Sequence, residues 1–503
     1  MEARNCQAKN RIIIGQIIMI LVLIFITPPI QATIVDTPLS KLTQAEKFFL
    51  LGKYKQSIDV YKNYIYSSQN KEVLTYNIGY ISYLQDNIDS AEHYCDQALH
   101  HNPDYGPALL LKGLIAQKFS KPKSKDYFEE SIKHHPEVEL PLFYLGKYYY
   151  ENGEFDQAYK YLNRAINTND KFSSPYSLLG KALSKMGNNQ KAIDKLENGL
   201  EVSYDAKILA TLIELYQETS QIQKAKKYSG LFKFLFPAHP LVDQLIKKYP
   251  ESNFKMGFEK LPERDISSND FLPVGEKRMY NVSLGPLKVG ELYTAIQDSL
   301  VFNDKEVYQV RFSLDSNPDL AFAAVLHSDY ISYIDKYTKQ VELHYLHTYE
   351  DDKIWDKIYE FDRDKHKFLC RTVHENGHID IIEKYLPQNA IDGTSILFYA
   401  RQVVREKRSE RVMTIIDENF VISDINFPDK KEVVKVREKE EECIMISGTN
   451  HYKGIVGFTG DFRGWFRDNE TLLPVTSDFK IWVGRIKVTM ASEEEQKLHK
   501  YAR

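Results

Sequence analysis

The sequence predicts an α+β multidomain chain: an all-α solenoid in the N-terminal half, then a mostly antiparallel β domain, a curved sheet or half-barrel, carrying one short helix. Small residues recur at intervals of 33 and 34 between positions 40 and 250. That period stops in a segment of mixed charge with two prolines, and beyond it short runs alternate apolar and polar residues, the pattern of half-buried strands. At 503 residues the chain is long enough for two or three cores.

Residues 1–32 read as a secretory signal peptide. Arg4, Lys9 and Arg11 precede the 15-residue run IIIGQIIMILVLIFI, and TPPIQA ends on the small Ala32. The run is shorter than the ~20 residues that span a bilayer, and Gly15 and Gln16 interrupt it. The expectation is an exported, periplasmic protein cut near Ala32; an uncleaved anchor over residues 12–26 is the alternative. Removing the segment takes away three basic residues and one acidic residue, which moves the formal charge from −4 to −6. A pI near 6.4 without a basic block gives no reason to expect nucleic acid. Cys6 leaves with the signal; of Cys95, Cys370 and Cys443, only the last two could form a bridge within one domain, and sequence leaves that pairing open.

The helical half spans residues 33–250. Gly79, Gly113, Gly146 and Gly180 are 34, 33 and 34 residues apart, followed twelve residues later by Ala91, Lys125, Ala158 and Ala192, and seven later again by Ala98, Ile132, Ala165 and Gly199. Small residues at these offsets let two helices approach closely while larger apolar ones fill the gaps. The clearest copy is LPLFYLGKYYYENGEFDQAYKYLNRAIN, with Gly146, Tyr149, Gly153, Phe155, Ala158, Leu162 and Ala165 in place; SPYSLLGKALSKMGNNQKAIDKLENGL nearly matches it. These residues resemble the tetratricopeptide repeat (TPR) family, whose period is 34. About six copies follow one another, with LVDQLIKKYP as a capping helix.

The resemblance implies a concave groove, lined by the first helix of each repeat, that takes a protein or peptide partner. Carried onto this chain, the groove positions are Tyr76, Tyr80 and Tyr83; Leu110, Leu114 and Gln117; Phe143, Lys147 and Tyr150; and Ser177, Lys181 and Ser184. The tyrosines offer rigid amphipathic surface, and Lys147 and Lys181 suit an acidic or C-terminal carboxylate. Packing between repeats is the competing use of those tyrosines. If the groove reading holds, replacing Tyr80, Lys147 and Tyr150 by alanine leaves the thermal melt nearly unchanged. Cys95 falls where the second helix is buried, so an inert thiol is expected.

A linker over 251–270 leads into the β domain, 271–491, and a polar tail, 492–503. In RMYNVSL, Tyr280, Val282 and Leu284 share a face before the turn at Gly285-Pro286. Near the end, Trp482, Ile486, Val488 and Met490 share another. DGTSILFYARQVV reads as a short helix led by Asp392. Together FLPVGEKRMYNVSLGPLKVGELYTAI, YISYIDKYT, DGTSILFYARQV, WFRDNETLLPVTSDF and IWVGRIKVTM resemble a family of exported bacterial proteins, the domain of unknown function 3108. The resemblance implies an envelope location and a curved or barrel-like sheet, and brings no active site; Asp392-Gly393 stands where an aspartate followed by proline is expected.

Candidate chemistry is sparse. His374-Glu375-Asn376-Gly377-His378 spells the H-E-x-x-H of zinc proteases, a motif that works on a helix. Here Asn376-Gly377 marks a tight two-residue hairpin turn between β-branched flanks. That turn pairs His374 with Ile379 and sends the two histidines to opposite faces, so no shared metal is expected. Around Ser395, Gly393-Thr394-Ser395-Ile396-Leu397 lacks the second glycine of a nucleophile elbow. GIVGFTGDFRG lacks the lysine-serine pair of a phosphate loop, and His344, His347 and His366 match no ligand spacing. EDDKIWDKIYEFDRD and REKEEEC read as solvated strand faces. The reading is therefore a non-enzymatic scaffold without cofactor or metal, with the β domain docking elsewhere. Its alternative is a carrier of envelope lipid or another apolar ligand, recognisable by a continuous cavity of roughly 300 Å³ or more.

Overall fold

The computed structural model describes residues 42–119, 123–250 and 272–496, with short breaks at 303–304, 318–325, 339, 351–352, 406–408, 437–438, 452–457 and 482–483. The expected signal peptide, the linker over 251–270, Trp482 and the end of the tail lie outside these residues. Among the described residues no helix is long and apolar enough to cross a membrane.

Six helix pairs build the array. The first helices are α1 (Gln44–Leu50), α3 (Lys71–Leu84), α5 (Gly106–Lys118), α7 (Glu139–Glu151), α9 (Ser174–Lys185) and α11 (Ala206–Glu218). Their partners are α2 (Tyr54–Tyr64), α4 (Ile88–His101), α6 (Ser124–His134), α8 (Phe155–Thr168), α10 (Asn189–Val202) and α12 (Ile222–Leu235), and α13 (Leu241–Lys248) caps the stack. The repeated glycines do what their spacing predicts: a Cβ on Gly146 would sit 2.7 Å from Leu162 Cγ, and one on Gly180 2.6 Å from Leu196 Cγ. Ala158, Ala165 and Ala192 are fully buried at the same crossings. Gly153 and Gly187 leave their helices with φ of +79° and +77°, a conformation that Asp86 and Ser220 adopt at the matching turns of other repeats.

Among the described residues the β domain is one open sheet of fifteen strands. In chain order the first eight are β1 (Lys277–Leu284), β2 (Leu287–Phe302), β3 (Lys305–Ser316), β4 (Leu326–Asp335), β5 (Val341–Glu350), β6 (Lys353–Asp362), β7 (Lys367–His374) and β8 (Ile379–Tyr385). Then come β9 (Ile391–Asp392), β10 (Ser409–Ile416), β11 (Asn419–Val436), β12 (Lys439–Asn450), β13 (Phe458–Arg467), β14 (Pro474–Ile481) and β15 (Gly484–Met490). The order is β8-β7-β6-β5-β4-β3-β2-β1-β15-β14-β13-β12-β11-β10-β9, antiparallel throughout except for the short β9–β10 pair. The expected turn at Gly285 joins β1 to β2 with φ +59°. The expected helix is α14 (Ser395–Val403), and the Asp392 carboxylate accepts from the Thr394 and Ser395 amides at 2.9 Å each. Cys95, Cys370 and Cys443 are all buried free thiols, so the open question of a Cys370–Cys443 bridge resolves as unpaired.

The two halves pack closely. Phe49, Leu50 and Tyr61 of the first repeat cover Leu343, Tyr345, Ile358 and Val373 on the outer face of β5–β7. Burying such side chains contributes about 1.5–3 kcal/mol each. Arg371, 6% exposed, pairs with Glu360 at 2.7 Å and donates to the Leu50 carbonyl at 3.4 Å. The EDDKIWDKIYEFDRD stretch is less solvated than its composition suggests. Asp356 is 4% exposed because His347 Nδ1 lies 2.9 Å from it and the Tyr345 hydroxyl also donates to it. The reason is the neighbouring strand, which supplies partners that the sequence of β6 does not contain.

On the outer face His327 contacts Asp315 through Nδ1 and lies 3.6 Å from Asp329 through Nε2. The hydrogen bond to Asp315, and then the nearby Asp329 carboxylate, push its pKa up to about 9 from an ordinary 6.5. A raised histidine stabilises the fold fully below the unfolded value and loses that contribution as pH rises through the folded one. Stability should therefore fall between about pH 6.5 and pH 9, and urea titrations of His327→Gln across that window should show a flatter profile.

Candidate functional site

The alternating residues of the sheet meet across neighbouring strands to form an inward rung: Tyr280 opposite Leu292, Leu292 opposite Leu314, Leu314 opposite Ser328, Ser328 opposite Thr348, and Thr348 opposite Trp355. Residues from distant strands, Trp355 on β6 and Phe466 on β13, line one chamber, so the sheet curls around it. The chamber has a volume of about 1280 Å³. Val282, Leu292, Phe312, Leu314, Leu346 and Phe462 supply its apolar wall, Ile396, Leu397 and Ala400 of α14 one end, and Tyr76, Tyr80, Leu110, Leu114 and Tyr144 of the helical array another side. The helix and sheet thus enclose space as well as burying each other, which meets the cavity criterion for an apolar-ligand carrier.

Two hairpins of the sheet reach the array, one at the first helix of the second repeat and one at the loops that precede the fifth and sixth first helices. The first is the β7–β8 hairpin. Its edge strand β8 has an open row of backbone groups, and the array satisfies them: Asn77 Oδ1 accepts from Ile379 N at 3.3 Å, the Tyr76 hydroxyl donates to Ile379 O at 3.3 Å, and the Tyr80 hydroxyl accepts from Ile381 N at 3.0 Å. Asn77 Nδ2 also donates to Gly377 O at 2.8 Å. Capping an edge in this way removes a template for unwanted pairing. Tyr76 and Tyr80, expected to line a groove for a partner, here hold a strand of the chain's own sheet.

The second hairpin is β10–β11, turning through Asp417 and Glu418 with φ of +48° and +59°. Phe420 N donates to Ser203 Oγ at 3.0 Å, Tyr204 N to Phe420 O at 2.8 Å, and Lys171 Nζ to Asp417 at 2.8 Å. Inside the chamber Glu418 accepts from Lys357 Nζ at 2.6 Å and from the Tyr359 hydroxyl at 3.1 Å. Lys384 Nζ donates to the Glu418 carbonyl at 2.7 Å and to Ser173 Oγ at 2.9 Å. Burial by itself would raise the Glu418 pKa; Lys357 and Lys384 more than reverse this and hold it below its ordinary value. Burial lowers that of Lys384. No sequence motif announced this cluster, because its members lie on β6, β8 and the β10–β11 turn.

The other expected groove residues divide. Leu110 and Leu114 line the chamber. Phe143 packs edge-on to Phe172 at 5.7 Å. Ser177, 9% exposed, is hydrogen-bonded to Thr211 Oγ1 at 2.8 Å, and so serves packing between repeats. Tyr83, Gln117, Lys147, Tyr150, Lys181 and Ser184 lie toward the C-terminal ends of the first helices and keep partial or full exposure. There Gln117 Nε2 donates to Glu151 at 2.8 Å and Lys147 lies 3.7 Å from the same carboxylate.

The HENGH stretch forms a hairpin, as its Asn-Gly pair suggested, but its register differs from the expected one. Val373 pairs with Ile379, His374 N donates to His378 O at 2.9 Å, and Gly377 N donates back to His374 O at 2.8 Å. The loop therefore holds three residues, with Gly377 at φ +79°. This one-residue change puts both histidines on the chamber face, correcting the expectation that they point apart. Their rings stack with centroids 3.9 Å apart, and His374 Nε2 lies 2.6 Å from Asp380 Oδ2. Burial, and then the neighbouring His374, push the His378 pKa down to about 4; burial would raise that of Asp380, and His374 holds it at about 2.

Comparisons with known proteins agree with this division. A family model described as "Protein of unknown function (DUF3108)" matches residues 279–491, and one for the anaphase-promoting complex, cyclosome, subunit 3, matches residues 126–199. The BBSome complex member BBS4 of Bos taurus is 25% identical over 122 residues, so the chain spans about a quarter of that relative, 24% of each. Among solved structures, PilW, a widely conserved type IV pilus biogenesis factor, aligns with 40% of this chain and 94% of its own at 19% identity, with a TM-score of 0.37. YrrB, a TPR protein with an unusual peptide-binding site, aligns with 38% of this chain and 99% of its own at 18% identity and a TM-score of 0.32.

Proposed function

Because the chain joins TPR-like repeats in its N-terminal half to a DUF3108 domain over residues 279–491, we propose that it binds an apolar ligand in the chamber that these two parts enclose. The observation that carries this reading is a space of about 1280 Å³, walled mainly by aliphatic and aromatic side chains and wide enough for an acyl chain or a comparable apolar molecule. An empty volume that large would forfeit the dispersion contacts of its lining, so a ligand that restores them binds by ordinary hydrophobic burial. Export fits the same reading: with residues 1–32 acting as a cleaved signal, the protein carries envelope lipid through an aqueous compartment. Intact mass of the protein recovered from cells, compared with cleavage near Ala32, tests the export part.

Ligand binding is tested on the purified full chain with a fluorescent fatty acid. Saturable uptake at about one per chain is expected, and Leu346→Trp together with Leu314→Trp should weaken it severalfold by partly filling the chamber while the melt stays close to wild type. A chain that takes up no probe, or a filled variant that takes it up unchanged, overturns the reading.

TPR arrays recruit protein or peptide partners, and a second reading is supported by the edge that the β domain leaves open. Tyr83, Gln117, Lys147, Tyr150 and Lys181 form the surface from which we infer that a protein partner docks. In-cell crosslinking from Tyr150 should attach a discrete partner, and Lys147→Ala with Lys181→Ala should weaken the adduct severalfold; equal adduct in the variant removes these residues from the interface.

A further inference from the structure

We propose that His374, His378 and Asp380 form a binding site for a divalent transition ion of the zinc class at the tip of the β7–β8 hairpin. One ligand atom from each of the three residues lies within 4.8 Å of the other two. His374 Nε2 is 2.6 Å and His378 Nε2 is 4.0 Å from Asp380 Oδ2. Zinc bonds to imidazole and carboxylate of about 2.0–2.2 Å place tetrahedral ligands roughly 3.3 Å apart. Those two separations lie within ~1 Å of that value, and the two imidazole rings, stacked with centroids 3.9 Å apart, tilt away from each other for both lone pairs to meet one ion.

The donor set is two imidazoles and one carboxylate, which suits zinc-class ions over calcium or magnesium. A supporting residue is also in place. Asn376 Oδ1 lies 3.2 Å from His378 Nδ1 and can only accept there, which leaves the lone pair on Nε2, the nitrogen facing Asp380. Such outer contacts orient a ligating histidine. The backbone around the three ligands is held by the array, through Asn77 to Gly377 and Ile379 and through Tyr76 to Ile379. Glu375, the would-be catalytic base of the H-E-x-x-H pattern, is on the exposed loop, so the site is not the protease motif. All three ligands line the chamber.

The test uses the full chain after chelator treatment, titrated with zinc and followed by native mass spectrometry and calorimetry. One ion per chain is expected, with the ion raising the melting temperature, and Asp380→Asn should weaken binding by at least about tenfold. His374→Ala with His378→Ala should lose the stoichiometric ion while melting like chelated wild type. Should that double variant fail to fold, Asp380→Asn, which keeps the size and a hydrogen bond to His374, decides. Absence of stoichiometric zinc on the wild type, or its retention at equal affinity in either variant, overturns the site.

Discussion

Tyr76→Ala should destabilise the protein by about 3–5 kcal/mol, the range for deleting a buried aromatic ring, and should release the β7–β8 hairpin from the array. Tyr76 is 5% exposed, stacks on Tyr80 with centroids 5.7 Å apart, meets Tyr105 edge-on at 5.7 Å, and donates to Ile379 O. Its removal takes away packing on both sides and leaves a strand-edge carbonyl without its donor. Tyr80→Phe is the finer test. It keeps the ring and removes the oxygen that accepts from Ile381 N, leaving a half-buried amide unsatisfied at a cost of about 1–3 kcal/mol. By contrast Lys147→Ala and Tyr150→Ala, on the open edge, should change stability by no more than about 1 kcal/mol. The contrast corrects the expectation that replacing Tyr80, Lys147 and Tyr150 by alanine leaves the thermal melt nearly unchanged, because Tyr80 holds the edge of β8. Urea unfolding together with protease cutting at the Glu375–Gly377 loop distinguishes loss of docking from global unfolding.

Glu418→Ala should cost about 3 kcal/mol, toward the low end for removing one partner of a buried pair because neither side chain is fully buried. Lys357, its closest partner, has 20% of its side chain exposed against 14% for Glu418, and no other carboxylate bonds to it among the described hydrogen bonds. The effect has a pH signature. Glu418 titrates below its ordinary value near 4.5, so its contribution is present above that value and is lost as pH falls through the lower folded one. Wild-type stability should drop on acidification below about pH 4.5, and denaturant titrations of Glu418→Ala should lack that part of the drop. Glu418→Gln separates charge from shape: it keeps an acceptor for Lys357 and Tyr359 and should fall between wild type and alanine. Equal stability of all three proteins at neutral pH would mean that the turn is held by its other contacts, to Ser203, Tyr204, Lys171 and Lys384.

How far the site could be read in advance depends on which residues speak locally. The inward face of β1 was legible because Tyr280, Val282 and Leu284 alternate, and the α14 helix because Asp392 caps it. The chamber those faces build was not, since whether opposed apolar faces touch or stand apart depends on the curl of fifteen strands. The histidine cluster was missed for a narrower reason. A two-residue loop and a three-residue loop at Asn376-Gly377 differ by one position of register, and with side chains alternating that single step carries His374 to the opposite face.

The repeat period, the small residues at helix crossings and the antiparallel β character were all determined by the sequence alone, because each follows from steric or polar preferences among residues close along the chain. The tertiary structure decided what Tyr76 and Tyr80 hold. Tyr76 and Tyr80 have the chemistry to bind an extended strand, and nothing near them in sequence indicates that the strand begins at Ile379, some three hundred residues on. Hydrogen-bonding capacity belongs to a side chain, whereas its partner is fixed only when the solenoid and the sheet have both folded and the unpaired edge of β8 finds the one surface able to satisfy it.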